Sequence, residues 1–548
     1  MTTLETVAPS GQGARITASG LTTRHRGGGV ALDNISLQIA PGQLTAVIGP
    51  SGAGKTTLLA ALAGIAPAQH GTVTFDIDGA ISPIGVAFVP QDDILHGELP
   101  LRRTLRYAAS LRMAAPPAMI DAAVDDAMHI LGLTAHGGVP VHSLSGGQRK
   151  RANIAVEILA RPEVCFLDEP TSGLDPAVAA DLIDYLHRMS AAGSTVVFTT
   201  HNMIDIERSD RAIVVAPGGR VVAVGSPGEV LDQLGQRTFM ALFQWLAEVE
   251  PVVSRSDITQ SAVRPPSTPR RRRVADRPSA LRQWWTLTRR AGEILTRNRL
   301  TLAILLGSPA AVIGMFAVLF RPGAFDAGAD PTGAIQVAYW LSFSGFFFGL
   351  TFGLLQVTTE VSVLRRERYA GMRIGAYLGS KVALLTPILL LVNVTMIGVL
   401  RALDRIPELS AGAFLGLNLT MGVNAVAALC LGLLASAAVT STAQAALALP
   451  MLCFPAVLFS GAMVPIPVMA GAGRAISAVM SDRWAFEAIA RHLHVSALTT
   501  SASPYAGLGA SAAVTYWALL AVFTLVTGFG AYAAVRCRAG SPPSNSPG

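Results

Sequence analysis

A chain of 548 residues exceeds what one hydrophobic core supports, so at least two domains are expected. Hydrophobic residues make up 51% and charged residues 14%, with a mean hydropathy of +0.47, and the charge deficit falls almost wholly after Leu300. The formal charge of +7 does not point to nucleic acid: the basic residues gather in a linker and beside apolar segments, where anionic lipid heads and the positive-inside bias account for them.

The N-terminus, MTTLETVAPS, carries Glu5 and no apolar core, so no cleaved signal peptide is expected and insertion depends on later segments. After a tail over 1–13, short β-branched runs (Leu44 to Ile48, Val164 to Leu167, Thr195 to Thr199) alternate with helical stretches as far as Glu250. That alternation predicts an α/β nucleotide domain over 14–250 with a parallel sheet. Lysine is nearly absent from the whole chain; only Lys55, Lys150 and Lys381 occur, a bias typical of a GC-rich bacterial genome. Cys165, Cys430, Cys453 and Cys537 have no CxxC spacing and are expected to be free thiols.

Gly49-Pro50-Ser51-Gly52-Ala53-Gly54-Lys55-Thr56 follows the strand Leu44 to Ile48 and opens the helix Thr57 to Leu62. A glycine-rich turn between a strand and a helix lets backbone N–H groups wrap phosphates, and the helix N-terminus adds its positive end. Lys55 is expected on the β- and γ-phosphates and Thr56 on Mg²⁺. Lysine rather than arginine stands there because a compact ammonium must reach phosphate oxygens. The apolar run Val164 to Leu167 ends in Asp168-Glu169; the first carboxylate is placed to hold the metal and the second to polarise an attacking water. His201 closes the strand Val196 to Thr200.

The segment 251–279 is polar, Pro-bearing and unpatterned, reading as a cytoplasmic linker whose Arg270 to Arg273 run either holds anionic lipid or signals topology. Over 280–299, Leu281, Trp284, Trp285, Thr288 and Leu295 recur at helical spacing between arginines, predicting an amphipathic helix lying on the membrane face or against the nucleotide domain. A membrane domain over 300–536 is expected, with about six spans near 301–320, 334–358, 378–400, 411–437, 443–466 and 511–535, and a tail over 537–548. Arg365, Arg366, Arg368, Arg373, Arg536 and Arg538 fall on the nucleotide-domain side of such a topology, while Arg401 and Arg405 fall on the other. The stretch from Met469 to Leu508 reads as external or partly re-entrant. Gln356, Asn393, Asn418, Asn424 and Gln444 either face a cavity or form interhelical hydrogen bonds. No ionisable residue is expected deep in a span, which favours an apolar or amphipathic cargo over a proton-coupled route.

The phosphate loop, Gln91, Leu144-Ser145-Gly146-Gly147-Gln148, LDEPTSGLD ending at Asp175, and Thr200-His201 together resemble the ATP-binding cassette (ABC) family, in its order and spacing and over the whole chain. The resemblance implies a P-loop cassette fused to an all-α membrane domain of ABC-2 type, with ATP and Mg²⁺ as cofactors. It implies that Gln91 senses γ-phosphate and metal, that Ser145 and Gly147, within the Ser145-Gly146-Gly147-Gln148 turn, contact ATP held by a second copy, that Asp175 crosses the dimer, and that His201 is a γ-phosphate switch. One loop and one signature per chain imply a homodimer, or a heterodimer with a similar half-transporter. The reversed domain order, Gln148-Arg149-Lys150-Arg151, the run Leu364 to Arg373 and Arg483-Trp484-Ala485-Phe486-Glu487 resemble the G (White-type) subfamily of half-transporters.

The chain departs from the family in placing His25 or Arg26 where an aromatic ring often stacks on adenine, and Thr104 where a glutamate is usual. With about fifteen residues ahead of the cassette, no phosphopeptide-reading domain is expected there. The resemblance implies an ATP-driven exporter or flippase in a bacterial plasma membrane, multi-pass, with both termini cytoplasmic. A regulatory or mechanical membrane ATPase that moves no substrate is the alternative.

Overall fold

A computed structural model describes residues 13–24, 29–77, 80–81, 85–248, 278–326, 330–499 and 503–540. His25 and Arg26, the tails over 1–12 and 541–548, and the linker over 251–277 with its arginine run lie outside the described residues. The chain forms two units, one reaching Ser279 and including Tyr369–Gly371, the other beginning at Ala280.

The first unit runs β1 (Arg15–Arg24), β2 (Val30–Ile39), β3 (Leu44–Ile48), α1 (Lys55–Leu62), β4 (His70–Ile77), β5 (Ala80–Ile81), β6 (Val86–Val89), α2 (Leu101–Arg112), α3 (Pro117–Ile130), α4 (Gly146–Ile158), β7 (Val164–Leu167), α5 (Pro176–Ala191), β8 (Thr195–Thr199), α6 (Met203–Glu207), β9 (Arg211–Ala216), β10 (Arg220–Gly225), α7 (Pro227–Gln233) and α8 (Phe239–Glu248). The expected parallel sheet has the order β10-β9-β3-β8-β7-β6, with only β10 antiparallel to its neighbour. A second, antiparallel sheet, β2-β1-β4-β5, was not separable in the sequence from the alternating pattern. β3, β7 and β8 are buried on both faces, which is why they read as near-continuous runs of apolar residues and threonine rather than alternating ones. α1 packs Leu58, Leu59 and Leu62 against Ile16, Leu32, Val47 and Phe166, joining the two sheets through one core. Each of those fully buried leucines contributes about 2 kcal/mol by leaving water. Because β3, β6, β7 and β8 are parallel, their C-terminal ends share one edge, and that edge receives Gly49, Gln91, Asp168 and His201.

The second unit is helical: α9 (Ala280–Arg297), α10 (Arg299–Leu319), α11 (Pro331–Leu354), α12 (Val361–Tyr369), α13 (Ile374–Ala402), α14 (Ala411–Ala438), α15 (Thr442–Leu458), α16 (Gly471–Ala478), α17 (Ser481–His492) and α18 (Ala513–Gly540). Among the described residues five segments are long and apolar enough to cross a membrane: Thr301–Leu319, Pro331–Tyr369, Ile374–Ala402, Ala411–Ala438 and Ala513–Ala539. The stretch expected to span at 443–466 coincides with α15, whose 17 residues carry Pro450 and Pro455 and end before a turn at Gly461. At 1.5 Å per residue α15 reaches about 26 Å, slightly short of the roughly 30 Å hydrocarbon layer. α11 and α14 approach closely: a Cβ on Gly349 would stand 2.0 Å from the carbonyl oxygen of Ala425. Small residues allow such contact where lipid supplies no hydrophobic drive.

α9 has two distinct faces. Gln283, Leu287, Arg290 and Ala291 are buried, while Leu281 and Trp285 of the expected apolar stripe are exposed. The buried face is thus partly polar, and Arg290 is neutralised by an ion pair with Glu367 of α12. Arg401 is paired with Glu408 at 2.6 Å, and Arg405 donates to the carbonyl of Ala317 at 3.1 Å.

Between Met469 and Leu508, α17 buries Phe486, Ile489 and Ala490 in the core shared with α11 and α14. That packing carries Asp482 into the interior, fully buried, where Ser342 Oγ donates to its Oδ1 at 2.7 Å. A buried acid therefore lies against the long helices, contrary to what hydropathy windows alone imply. Of the five polar groups singled out, Asn424 forms an interhelical bond, to the Ser342 carbonyl at 3.1 Å. Gln356, Asn418 and Gln444 bond within their own segments, and the buried amide of Asn393 has no hydrogen-bond partner among the described residues. Cys165, Cys430 and Cys453 are free thiols.

Candidate functional site

The chain leaves β3 at Ile48 and turns through residues 49–54 into α1. Gly49 has φ +155° and Gly54 φ +95°; a Cβ would stand 2.2 Å from the carbonyl oxygen of Val215 at the first and 2.2 Å from that of Ala31 at the second. Glycine alone fits both positions. Pro50 accepts from the Ala53 N–H at 3.2 Å, Ala53 is buried, and Ser51 and Gly52 are exposed. α1 starts without a side-chain cap, so the N–H groups around Lys55, Thr56 and Thr57 present the positive end of the helix. Lys55 reaches back across the loop, its Nζ donating to the carbonyls of Gly49 at 2.9 Å and Pro50 at 3.0 Å. Burial lowers its pKa, opposed by the carboxylates of Glu169 and Asp168.

β7 delivers Asp168 to the same edge. It is 3% exposed, and its Oδ1 accepts from Thr199 Oγ1 at 2.6 Å and from Thr56 Oγ1 at 3.2 Å. Burial pushes the carboxyl pKa up, with the hydrogen bonds from Thr199 and Thr56 opposing it. Glu169 adopts φ +46°, and its N–H donates to Thr199 Oγ1 at 2.8 Å. Its two carboxylate oxygens lie 3.4 Å from Gln91 Nε2 and 3.5 Å from His201 Nδ1. Gln91 and His201 are exposed, and Glu169 is half-buried between them. Six residues singled out in the sequence (Lys55, Thr56, Gln91, Asp168, Glu169 and His201) therefore meet in one cluster of cations, hydroxyls and carboxylates suited to binding and hydrolysing a phosphoanhydride.

The signature turn is built differently. Ser145 caps α4 through a reciprocal pair: Gln148 N–H donates to Ser145 Oγ at 3.3 Å, and Ser145 N–H donates to Gln148 Oε1 at 3.0 Å. Gly146 and Gly147 form the first turn, and Gln148 Nε2 lies 3.0 Å from His136 Nε2. Asp175 occupies the N-cap position of α5 with an exposed side chain that makes no cap hydrogen bond. Among the described residues no hydrogen bond joins Ser145, Gly146, Gly147, Gln148 or Asp175 to the Asp168–Glu169 cluster. Thr104 is buried, its hydroxyl bonded to the Pro100 carbonyl at 3.2 Å in its own helix.

Three residues of this region make contacts that the sequence does not reveal. Thr199 joins Asp168 to the Glu169 backbone, a role fixed by the register that sets Leu167 beside Phe198. Asp205, 2% exposed, accepts from Thr171 at 2.5 Å, Thr200 at 2.9 Å and Asn202 at 3.3 Å, tying the segment after Glu169 to the one bearing His201. Lys150 donates to the Gln91 carbonyl at 2.7 Å. Thr199→Val is expected to leave a buried carboxylate and an N–H short of a partner, costing about 1–3 kcal/mol and lowering turnover. Thermal unfolding and steady-state ATP hydrolysis check both effects.

Residues 32–172 match the family described as ABC transporter, and residues 282–493 match the ABC-2 type transporter family. The chain belongs to the ABC transporter family. The ABC transporter ATP-binding/permease protein Rv1747 of Mycobacterium tuberculosis is 32% identical over 86% of this chain and 56% of its own length. ABC transporter G family member 7 of Arabidopsis thaliana is 29% identical over 84% of this chain and 70% of its own. The cobalt import ATP-binding protein CbiO of Rhodobacter capsulatus is 35% identical over 40% of this chain and 80% of its own. The chain thus spans just over half the length of the mycobacterial relative. In this ABC transporter an ATP-binding cassette precedes a multi-pass ABC-2 membrane domain.

Proposed function

We propose that this protein is a half-transporter of the G type, working as a dimer that couples ATP hydrolysis to the outward movement of an apolar or amphipathic substrate, lipid included, across a bacterial plasma membrane. The carrying observation is the gathering of Lys55, Thr56, Gln91, Asp168, Glu169 and His201 at one sheet edge, in a chain that continues into five membrane-length apolar helices. In this reading residues 14–250 form the cassette, 251–279 a cytoplasmic linker, 280–299 a connecting helix whose exposed Leu281 and Trp285 rest in lipid, and 300–536 the membrane domain. The tails over 1–13 and 537–548 are cytoplasmic.

The loop Gly49–Thr57 wraps the triphosphate with backbone N–H groups, and Lys55 exchanges its loop carbonyls for β- and γ-phosphate oxygens. Thr56, Asp168 and Gln91 offer oxygen donors, two of them within 3.2 Å of each other, and that set fits a hard divalent cation. Thr56, Asp168 and Gln91 would hold Mg²⁺, and the ion would supply neutralisation of the phosphate charge there. Glu169 takes the proton of the attacking water, while Gln91 and His201 hold its carboxylate and sense the γ-phosphate. Ser145, Gly146, Gly147, Gln148 and Asp175, which stand apart from their own chain's cluster, face ATP on a second copy or a similar half-transporter. ATP closes the pair only as far as it binds the closed state more tightly than the open one.

Purified full chain in liposomes is expected to redistribute a fluorescent phospholipid or lipophilic dye when given ATP and Mg²⁺, and to lose that activity in Glu169→Gln. Brisk hydrolysis with no movement across a panel of such probes would instead favour a membrane ATPase that carries nothing through itself.

A further inference from the structure

In a chain that uses arginine almost everywhere, each of the three lysines sits on particular acceptors. Lys55 spans the phosphate loop, Lys381 pairs with Glu360 at 2.7 Å, and Lys150 donates to the backbone of Gln91 at 2.7 Å. A compact ammonium serves a single carbonyl in a confined place where a guanidinium fork needs more room and more acceptors. Lys150 is 6% exposed, so holding its charge there requires compensation. Burial lowers its pKa, and the carboxylates of Asp93, Asp168, Glu169 and Asp92 oppose that shift.

Lys150 does not act alone. One turn further along α4, fully buried Asn153 donates to the Asp92 carbonyl at 3.3 Å. Positions three apart lie on one helix face, so α4 grips two successive carbonyls of the 91–92 loop. The N-terminus of the same helix is the Ser145–Gln148 turn, stiffened by its reciprocal cap. At the other end of the chain of contacts, Gln91 Nε2 lies 3.4 Å from Glu169. A continuous path of short contacts therefore runs from the signature turn through α4 and Lys150 to Gln91 and the carboxylate of Glu169.

We propose that Lys150 is a positioning residue that clamps the 91–92 loop to α4, so that engagement of the signature turn by the second copy's ATP aligns Gln91 and Glu169 on the chain's own ATP. The inference rests on the sandwiched-dimer reading above. It makes the two hydrolytic sites of the dimer report on each other, a coupling free energy carried by one helix.

The test compares full-length wild type, Lys150→Met, Lys150→Arg, Gln91→Ala and Lys150→Met/Gln91→Ala in liposomes, reading fluorescent-nucleotide binding and hydrolysis against ATP concentration. Lys150→Met is expected to bind nucleotide as wild type does, to lose about tenfold in kcat, and to drop its Hill coefficient from near two to near one. Lys150→Arg, which keeps a charged donor, is expected to recover part of both. In the Gln91→Ala background Lys150→Met is expected to add little, because both act through one group. A Lys150→Met protein with wild-type kcat and cooperativity overturns the inference, as do losses from the two positions that simply multiply. A wild type that hydrolyses with a coefficient of one overturns the sandwiched-dimer reading and this inference with it, which separates the two failures.

Discussion

Glu169→Gln is expected to leave ATP binding intact and to cut hydrolysis by about 10²-fold or more, the loss that accompanies removal of a positioned general base. The substitution keeps the shape of the side chain and both of its neighbours. Gln91 lies 3.4 Å from one carboxylate oxygen and His201 lies 3.5 Å from the other, so an amide in the same place keeps one accepting oxygen for Gln91 Nε2 and turns an NH2 donor toward the ring nitrogen of His201. What disappears is the capacity to accept a proton from water. Lys55, Thr56 and Asp168 are untouched, so the determinants of phosphate and metal affinity persist. A Glu169→Gln protein should therefore trap nucleotide rather than reject it, which separates loss of chemistry from loss of binding. Filter-retained ATP together with steady-state phosphate release checks this; turnover close to wild type would remove Glu169 from the role of base and pass it to another group at the same edge.

What the sequence made legible was whatever depends on neighbours along the chain. The phosphate loop is a run of consecutive backbone groups whose shape is dictated by Gly49 and Gly54, so its spacing alone describes the object. Strand ends are nearly as plain: Asp168 follows the apolar run Val164–Leu167 and His201 a β-branched one, and parallel pairing puts such ends on one edge. Thr199, Asp205 and Lys150 belong to a different category. Each matters for what it touches 30 or more positions away or across a turn, and a threonine, an aspartate or a lysine carries no local mark of that. Hydropathy failed in the same way at Asp482. Its window is polar, yet the helical spacing of Phe486, Ile489 and Ala490 drives α17 into the helical core and takes the acid with it. On α9 the apolar stripe was real but was not the buried face, because an arginine with a carboxylate waiting on α12 can be buried at least as well as a tryptophan.

That ion pair carries the second large effect: Arg290→Met is expected to cost about 3–5 kcal/mol, since removing one partner of a buried pair leaves the other charge poorly compensated. Arg290 is 5% exposed and its guanidinium meets both oxygens of Glu367, one of them at 2.9 Å. Through that contact α9 is held to α12, and Gln283 adds a second tie by accepting from the Arg373 N–H at 3.0 Å. The opposing expectation is as informative. Burying two charges consumes much of what their attraction returns, so Arg290→Met/Glu367→Met should recover most of the loss by replacing the pair with apolar volume. Thermal unfolding of the purified full chain in detergent measures the three proteins side by side. ATP affinity should be unchanged in all of them, because Lys55 is held by the Gly49 and Pro50 carbonyls and Thr56 by Asp168, all within the cassette. A single substitution that leaves the melting point where it was would mean that α9 is held by Leu287 and Ala291 packing and the Gln283 hydrogen bond, and that the charge pair is incidental to it.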